Sequence, residues 1–119
     1  MLKLLADHSC YFNIICLQES WMGENDNYNL INFDGYELFK KDFDPELSRH
    51  GGLLTYINKN TKVDSHKILN TNTSYEGLLL HISLKNNKKI SILNIYRPPR
   101  NLISNYQDFF SDYIPKIKI

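Results

Sequence analysis

The sequence has little cysteine, no long apolar run and almost no net charge, and each shortage removes a class of protein. Two cysteines, Cys10 and Cys16, in 119 residues build neither a disulfide framework nor a zinc cluster, and their spacing fits no common metal motif. Cys16 reads as a small buried hydrophobe. No stretch approaches the ~18 apolar residues of a spanning helix. The start, Met-Leu-Lys-Leu-Leu-Ala-Asp-His, is too short in apolar residues for a secretory signal, and Asp7 and His8 interrupt it. The expectation is a cytoplasmic or nuclear chain in a reducing compartment, neither secreted nor membrane-bound. Asn72-Thr73-Ser74 is formally a glycosylation sequon, read here as surface loop. The formal net charge is +1, so bulk electrostatics gives no argument for nucleic acid. Any such function must rest on a local site. His8, His50, His66 and His81 are scattered without a ligand spacing and read as surface or satisfied core histidines.

What is present is a series of short apolar runs separated by turn residues. Residues 1–8 carry Leu2, Leu4 and Leu5 among polar residues, which suits the tail of an amphipathic helix. No capping residue precedes it. Residues 12–18 read as a buried strand, and the Gly-, Asn- and Asp-rich residues 22–35 as a loop. Residues 35–39 start a second strand. Residues 40–51 are a charged loop containing Pro45. Residues 52–58 form a third strand, and residues 76–84 and 89–96 form a hairpin turning at Asn86-Asn87. Arg97-Pro98-Pro99-Arg100 ends the last strand, because proline cannot donate to a ladder. Tyr106, Phe109, Phe110 and Tyr113 recur at helical spacing over 105–114, and Pro115 stops that helix. The order predicts an α/β layered fold, a mostly antiparallel sheet with flanking helices, in one domain over residues 1–119. Leu78, Leu80 and Ile82 face one way and Leu79 the other, while Ile90 and Ile92 oppose Leu93 and Ile95, so the sheet needs cover on both faces.

Alternation places Ile15, Leu17 and Glu19 on one face of the first strand, and Ile90, Ile92, Asn94 and Tyr96 on one face of the last. If those strands are neighbours in one sheet, Glu19 and Tyr96 meet at a common rim. A carboxylate, a carboxamide and a phenol there suit a hard cation and a phosphate oxygen. The residues alone leave the blander reading open: a solvated Glu19, a ladder residue at Asn94 and an amphipathic anchor at Tyr96. Arg49-His50-Gly51-Gly52 reads first as a turn at a strand start, with Arg49 placed to steer DNA. Glu76 reads as structural. Lys40-Lys41 and Lys88-Lys89 read as solvated turn charges that blunt sheet edges.

The ordered stretches "NIICLQESW", "GYELF", "RHGGLLTYI", "EGLLLHISL" and "ISILNIYRPP" resemble the endonuclease/exonuclease/phosphatase superfamily. The nearest likeness is to the apurinic-type endonuclease domain of non-LTR retrotransposons, and it runs from about residue 2 to residue 114. The resemblance implies a DNase I-like four-layer α/β sandwich and Mg²⁺-dependent hydrolysis of DNA phosphodiesters. It assigns Glu19 to the family's metal-binding glutamate and Tyr96 to the tyrosine that contacts the scissile phosphate. Arg97 and Arg100 fall where basic side chains reach a DNA backbone. Mg²⁺ is commonly held by one or two carboxylates together with waters and substrate phosphate.

The departures from the family matter as much. The chain starts inside the family's first helix, after its first strand and that strand's asparagine. The later G-D-x-N and S-D-H segments are absent, and Ser111-Asp112 is followed by Tyr113. Asn13 replaces the usual aspartate. One carboxylate does not hold Mg²⁺ tightly against its hydration shell, and losing several members of a cooperating site removes nearly all catalysis. The expectation is therefore a truncated endonuclease domain, inactive alone, with weak or no Mg²⁺. In the parent polyprotein its partners would be DNA and a reverse-transcriptase domain. The alternatives are a non-catalytic DNA- or protein-binding module on that fold, and a fragment of a mobile element without function. Half of a two-sheet sandwich would also leave an apolar inner face bare, which favours self-association.

Overall fold

The structure, a computed structural model, describes residues 12–43, 51–71 and 75–97. Six strands fill most of that length: Ile14–Gln18 (β1), Tyr36–Lys41 (β2), Leu53–Asn58 (β3), Lys62–Thr71 (β4), Tyr75–Ser83 (β5) and Lys89–Tyr96 (β6). They form two three-stranded antiparallel sheets, ordered β1-β3-β2 and β4-β5-β6.

The two sheets lie face to face, and alternation within each strand builds the core between them. Phe39, Leu53 and Ile57 from the first sheet meet Leu78, Leu80 and Ile82 from the second. Leu53, Ile57, Leu78 and Leu80 are fully buried, and burying such a side chain stabilises the fold by about 1.5–3 kcal/mol. The opposite face of the first sheet carries Ile15, Tyr36, Leu54 and Tyr56. Tyr28, Ile31 and Phe33, in and after a 3₁₀ turn at Tyr28–Ile31, pack over it. Phe33 stacks on Tyr56 at 4.6 Å between ring centroids, and the Tyr56 hydroxyl donates to the Ile31 carbonyl at 2.7 Å. The outer face of the second sheet gathers Leu69, Tyr75 and Leu79 with Leu93 and Ile95.

This corrects the expected architecture. Among the described residues the regular structure is antiparallel strand and short 3₁₀ turns, not a four-layer α/β sandwich with flanking helices. One sheet covers the other, and a loop of aromatic residues covers the first sheet's outer face where a helix was anticipated. The helices expected over 1–8 and 105–114 lie outside the described residues. Leu79 and Leu78 do fall on opposite faces, as alternation requires.

Four further points differ. β4 was not anticipated, because Lys62-Val63-Asp64-Ser65-His66-Lys67 is polar on both faces. It is the edge strand of its sheet, and most of its first seven residues are solvent-exposed. Strand β1 does not neighbour β6 within a sheet; they belong to different sheets. The inner faces of the two sheets cover each other through Phe39, Leu53, Ile57, Leu78, Leu80 and Ile82, where a bare inner face was expected. Cys16 is exposed rather than buried, since β1 is an edge strand. No helix among the described residues is long and apolar enough to cross a membrane.

Candidate functional site

At one end of the sandwich the ends of β1, β2 and β6 meet the starts of β3 and β5. The chain leaves β1 at Gln18 and turns through left-handed backbone, with φ of 55° at Glu19 and 59° at Trp21. Such conformations in non-glycine residues cost about 1–3 kcal/mol each unless the surroundings hold them. Here the surroundings do. The Ser20 N–H donates to the Gly52 carbonyl at 3.2 Å and the Trp21 N–H to the Gly51 carbonyl at 3.0 Å. The Met22 N–H donates to the Ser20 hydroxyl at 3.3 Å.

The turn swings Glu19 off the face that Ile15 and Leu17 share and brings it across to the second sheet. There the Tyr96 hydroxyl donates to Glu19 Oε1 at 2.9 Å, between residues 77 apart in sequence. The two side chains expected at a rim do meet, but across the sandwich and not along one sheet. Burial, then the hydrogen bond to Glu19 and the negative charges of Glu19 and Glu76, push the Tyr96 phenol up to about 12. At neutral pH Tyr96 is therefore a donor. It can hold a carboxylate or a phosphate oxygen, and it cannot serve as a base.

Asn94, expected at the rim, sits in the core. It is 2% exposed and ties the two sheets together. Its amide nitrogen donates to the carbonyls of Leu17 at 3.2 Å and Leu54 at 3.0 Å and lies 3.2 Å from the Thr55 hydroxyl. Its oxygen accepts from the Gln18 amide at 2.8 Å. A carboxamide engaged on both atoms inside the core ties the sheets together.

Behind the rim lies a buried ion pair that sequence reading missed. Lys41 Nζ stands 2.7 Å from Glu76 Oε2, with the two residues 6% and 9% exposed. Glu76 Oε1 accepts the Gly52 N–H at 2.7 Å. Lys41 was expected to be solvated. The signal for its burial was the alternation of β2 beyond Phe39, which puts Lys41 on the Phe39 face. Removing one partner of such a pair typically costs about 3–5 kcal/mol, because the other is left buried and charged. Lys40, one residue earlier, points outward to Asp42 at 2.7 Å and lies 4.0 Å from the Tyr28 ring centroid.

Gly51 and Gly52 explain why this corner needs glycine. Their φ values are 153° and 92°. A Cβ on Gly51 would sit 2.9 Å from Glu76 Oε1, and one on Gly52 would sit 2.1 Å from the Ser20 hydroxyl. The turn expected here is also a close approach of backbone to the rim.

Trp21 adds an aromatic surface beside Glu19. It is 52% exposed and its ring lies 5.4 Å from that of Phe43. Arg97 follows Tyr96 at the end of β6 and is half-buried. Arg49 and Arg100 lie outside the described residues.

The carboxylates near the rim are engaged with protein partners. Among the described residues no group of three or more His, Cys, Asp or Glu side chains is placed to hold a metal ion. Of the two carboxylates near the rim, Glu76 has one oxygen on Lys41 and the other on the Gly52 amide. Glu19 accepts the Tyr96 hydroxyl on Oε1, and a lone carboxylate competes poorly with the hydration shell of Mg²⁺. The arrangement can present a phenol donor and a carboxylate, side by side, to a polar ligand at the sandwich end. In comparisons with known proteins, the chain matches no family model and no curated protein sequence.

Proposed function

We propose that this chain carries the Glu19–Tyr96 edge of a DNA phosphodiester site of the retrotransposon endonuclease type, and that it engages the DNA backbone without cleaving it. The observation that carries this reading is the 2.9 Å hydrogen bond from Tyr96 to Glu19. It joins the glutamate after Leu17-Gln18 to the tyrosine before Arg97-Pro98-Pro99, the two positions the sequence resemblance marks as metal- and phosphate-facing. Tyr96 supplies a protonated phenol for a phosphate oxygen, and Arg97 lies next to it in the chain. A general acid or base of the right placement contributes about 10²–10⁴-fold to a hydrolysis, and the G-D-x-N and S-D-H segments that supply it in the family the sequence resembles are not in this sequence.

Trp21, 52% exposed beside Glu19, favours a second reading on the same rim, a non-catalytic module that binds protein and not DNA. Two measurements separate the readings. Supercoiled plasmid and an abasic-site duplex are incubated with the chain and Mg²⁺, and duplex binding is followed by fluorescence anisotropy. The expected result is no product above the protein-free control, together with salt-dependent binding that weakens in Tyr96→Phe. Mg²⁺-dependent cleavage that disappears in Glu19→Ala would overturn the claim of inactivity. Binding to no DNA at low salt would leave the protein-binding reading.

A further inference from the structure

We infer that Glu76 is a positioning residue for Glu19: anchored by Lys41, its carboxylate holds the Gly51–Gly52 backbone against Ser20–Trp21 and so keeps Glu19 turned toward Tyr96. The contacts form one continuous chain. Lys41 Nζ meets Glu76 Oε2 at 2.7 Å, and Glu76 Oε1 accepts the Gly52 N–H at 2.7 Å. The Gly52 carbonyl accepts from Ser20 at 3.2 Å and the Gly51 carbonyl from Trp21 at 3.0 Å. Glu19 lies between Gln18, the last residue of β1, and Ser20, the first residue held by the glycines. Its φ of 55° is a conformation that relaxes unless both flanks are held.

The same residue sets the other half of the pair. Glu76 is directly opposite Tyr96 in the β5–β6 register, so the two side chains share the inner face of the second sheet. Glu76 thus links the start of β5 to the end of β2 and the start of β3, bridging the two sheets where the rim forms. The space is filled: a Cβ on Gly51 would lie 2.9 Å from one Glu76 oxygen and 3.1 Å from the other. A carboxylate that faces an N–H and an ammonium in a space this tight holds the backbone in one place.

This inference rests on the Glu19–Tyr96 rim being the phosphate-facing edge proposed above. Its test reads backbone order alone, so failure of DNA binding and failure of the clamp are separate results. Two double variants of the whole chain are compared, Lys41→Met with Glu76→Gln and Lys41→Met with Glu76→Met. Neither leaves a lone buried charge. The glutamine keeps a carbonyl oxygen for the Gly52 N–H, and the methionine has none. Amide hydrogen exchange by NMR is followed at Ser20 and Trp21, with Thr55 in β3 and Leu80 in β5 as references. Loss of the clamp is expected to speed exchange at Ser20 and Trp21 about tenfold in the Glu76→Met form, as one forfeited buried hydrogen bond implies. Thr55 and Leu80 stay protected, and the Glu76→Gln form behaves like the native chain. Emission from Trp21, the one tryptophan, shifts in the Glu76→Met form alone. Equal protection of Ser20 and Trp21 in both forms, equal loss in both, or a loss that also takes Thr55 and Leu80 would overturn the inference.

Discussion

Asn94 is the most informative single residue to change, because it is a polar group in the middle of the inter-sheet core. In Asn94→Ala four hydrogen bonds disappear, but they are not equal. Gln18 is exposed, so its amide returns to water at little cost. The Leu17 carbonyl is in part reached by solvent. The bonds to the Leu54 carbonyl and the Thr55 hydroxyl are buried, and Thr55 is 0% exposed. Each buried bond lost costs about 1–3 kcal/mol, and the Thr55 hydroxyl keeps its contact with Cys16 Sγ at 4.0 Å, so the expected loss is about 2–3 kcal/mol. That is a large part of the about 5–15 kcal/mol that holds a typical domain together. The assay is urea unfolding at neutral pH, followed by Trp21 fluorescence and far-UV circular dichroism. Asn94→Asp is a sharper probe of the same reasoning. An ionised aspartate faces the Leu17 and Leu54 carbonyls as an acceptor against acceptors, so at neutral pH it should destabilise more than alanine. Its folded pKa is raised, so the ionisation part of its deficit is absent below the unfolded value of about 3.9 and is complete once pH has risen through the folded value, on top of the pH-independent cost of a protonated acid whose single O–H serves one of the acceptors Asn94 meets. A loss under about 1 kcal/mol in Asn94→Ala, or an Asn94→Asp variant whose deficit is independent of pH, would refute Asn94 as the tie between the sheets.

Two further outcomes follow from the rim. Tyr96 titrates near 12 in the fold against about 10 for an unperturbed phenol, so its contribution to stability is complete below about 10 and is lost as pH rises through the folded value; in Glu19→Gln the Tyr96 midpoint, resolved by ultraviolet difference against Tyr96→Phe, should move down. Gly52→Ala places a methyl 2.1 Å from the Ser20 hydroxyl at a φ of 92°, so it should destabilise by over about 1 kcal/mol through strain and displacement, whereas Gly35→Ala, with φ of 85° but open space around its Cβ, should cost less in the same urea titration.

The glutamate–tyrosine pair was legible in the sequence, but its geometry was not. Alternation placed Glu19 with Ile15 and Leu17 and so pointed it at the wrong face. The left-handed turn that redirects it is imposed by Gly51 and Gly52, more than thirty positions further along, and no local pattern around Glu19 encodes it. Asn94 was correctly aligned with Ile90, Ile92 and Tyr96, but its depth depended on β1 and β3 lying over β6. Lys41 looked solvated because its immediate neighbours are charged, and the partner that makes burial tolerable is 35 residues away. Strand β4 escaped notice because an edge strand with polar residues on both faces leaves no periodic signal.

Turn residues and two-residue periodicity act over a few positions, so the linear order of amino acids was enough to mark five of the strands, the Asn86-Asn87 hairpin turn and the opposed faces of β5 and β6. Where those strands sit relative to one another is a matter of contacts between distant segments. The division into two facing sheets, the burial of Asn94, Lys41 and Glu76, and the reach of Tyr96 to Glu19 all came from packing. Such contacts are selected by which apolar faces can cover each other and which polar groups must find partners once water is gone, and neither condition is written at any single position of the chain.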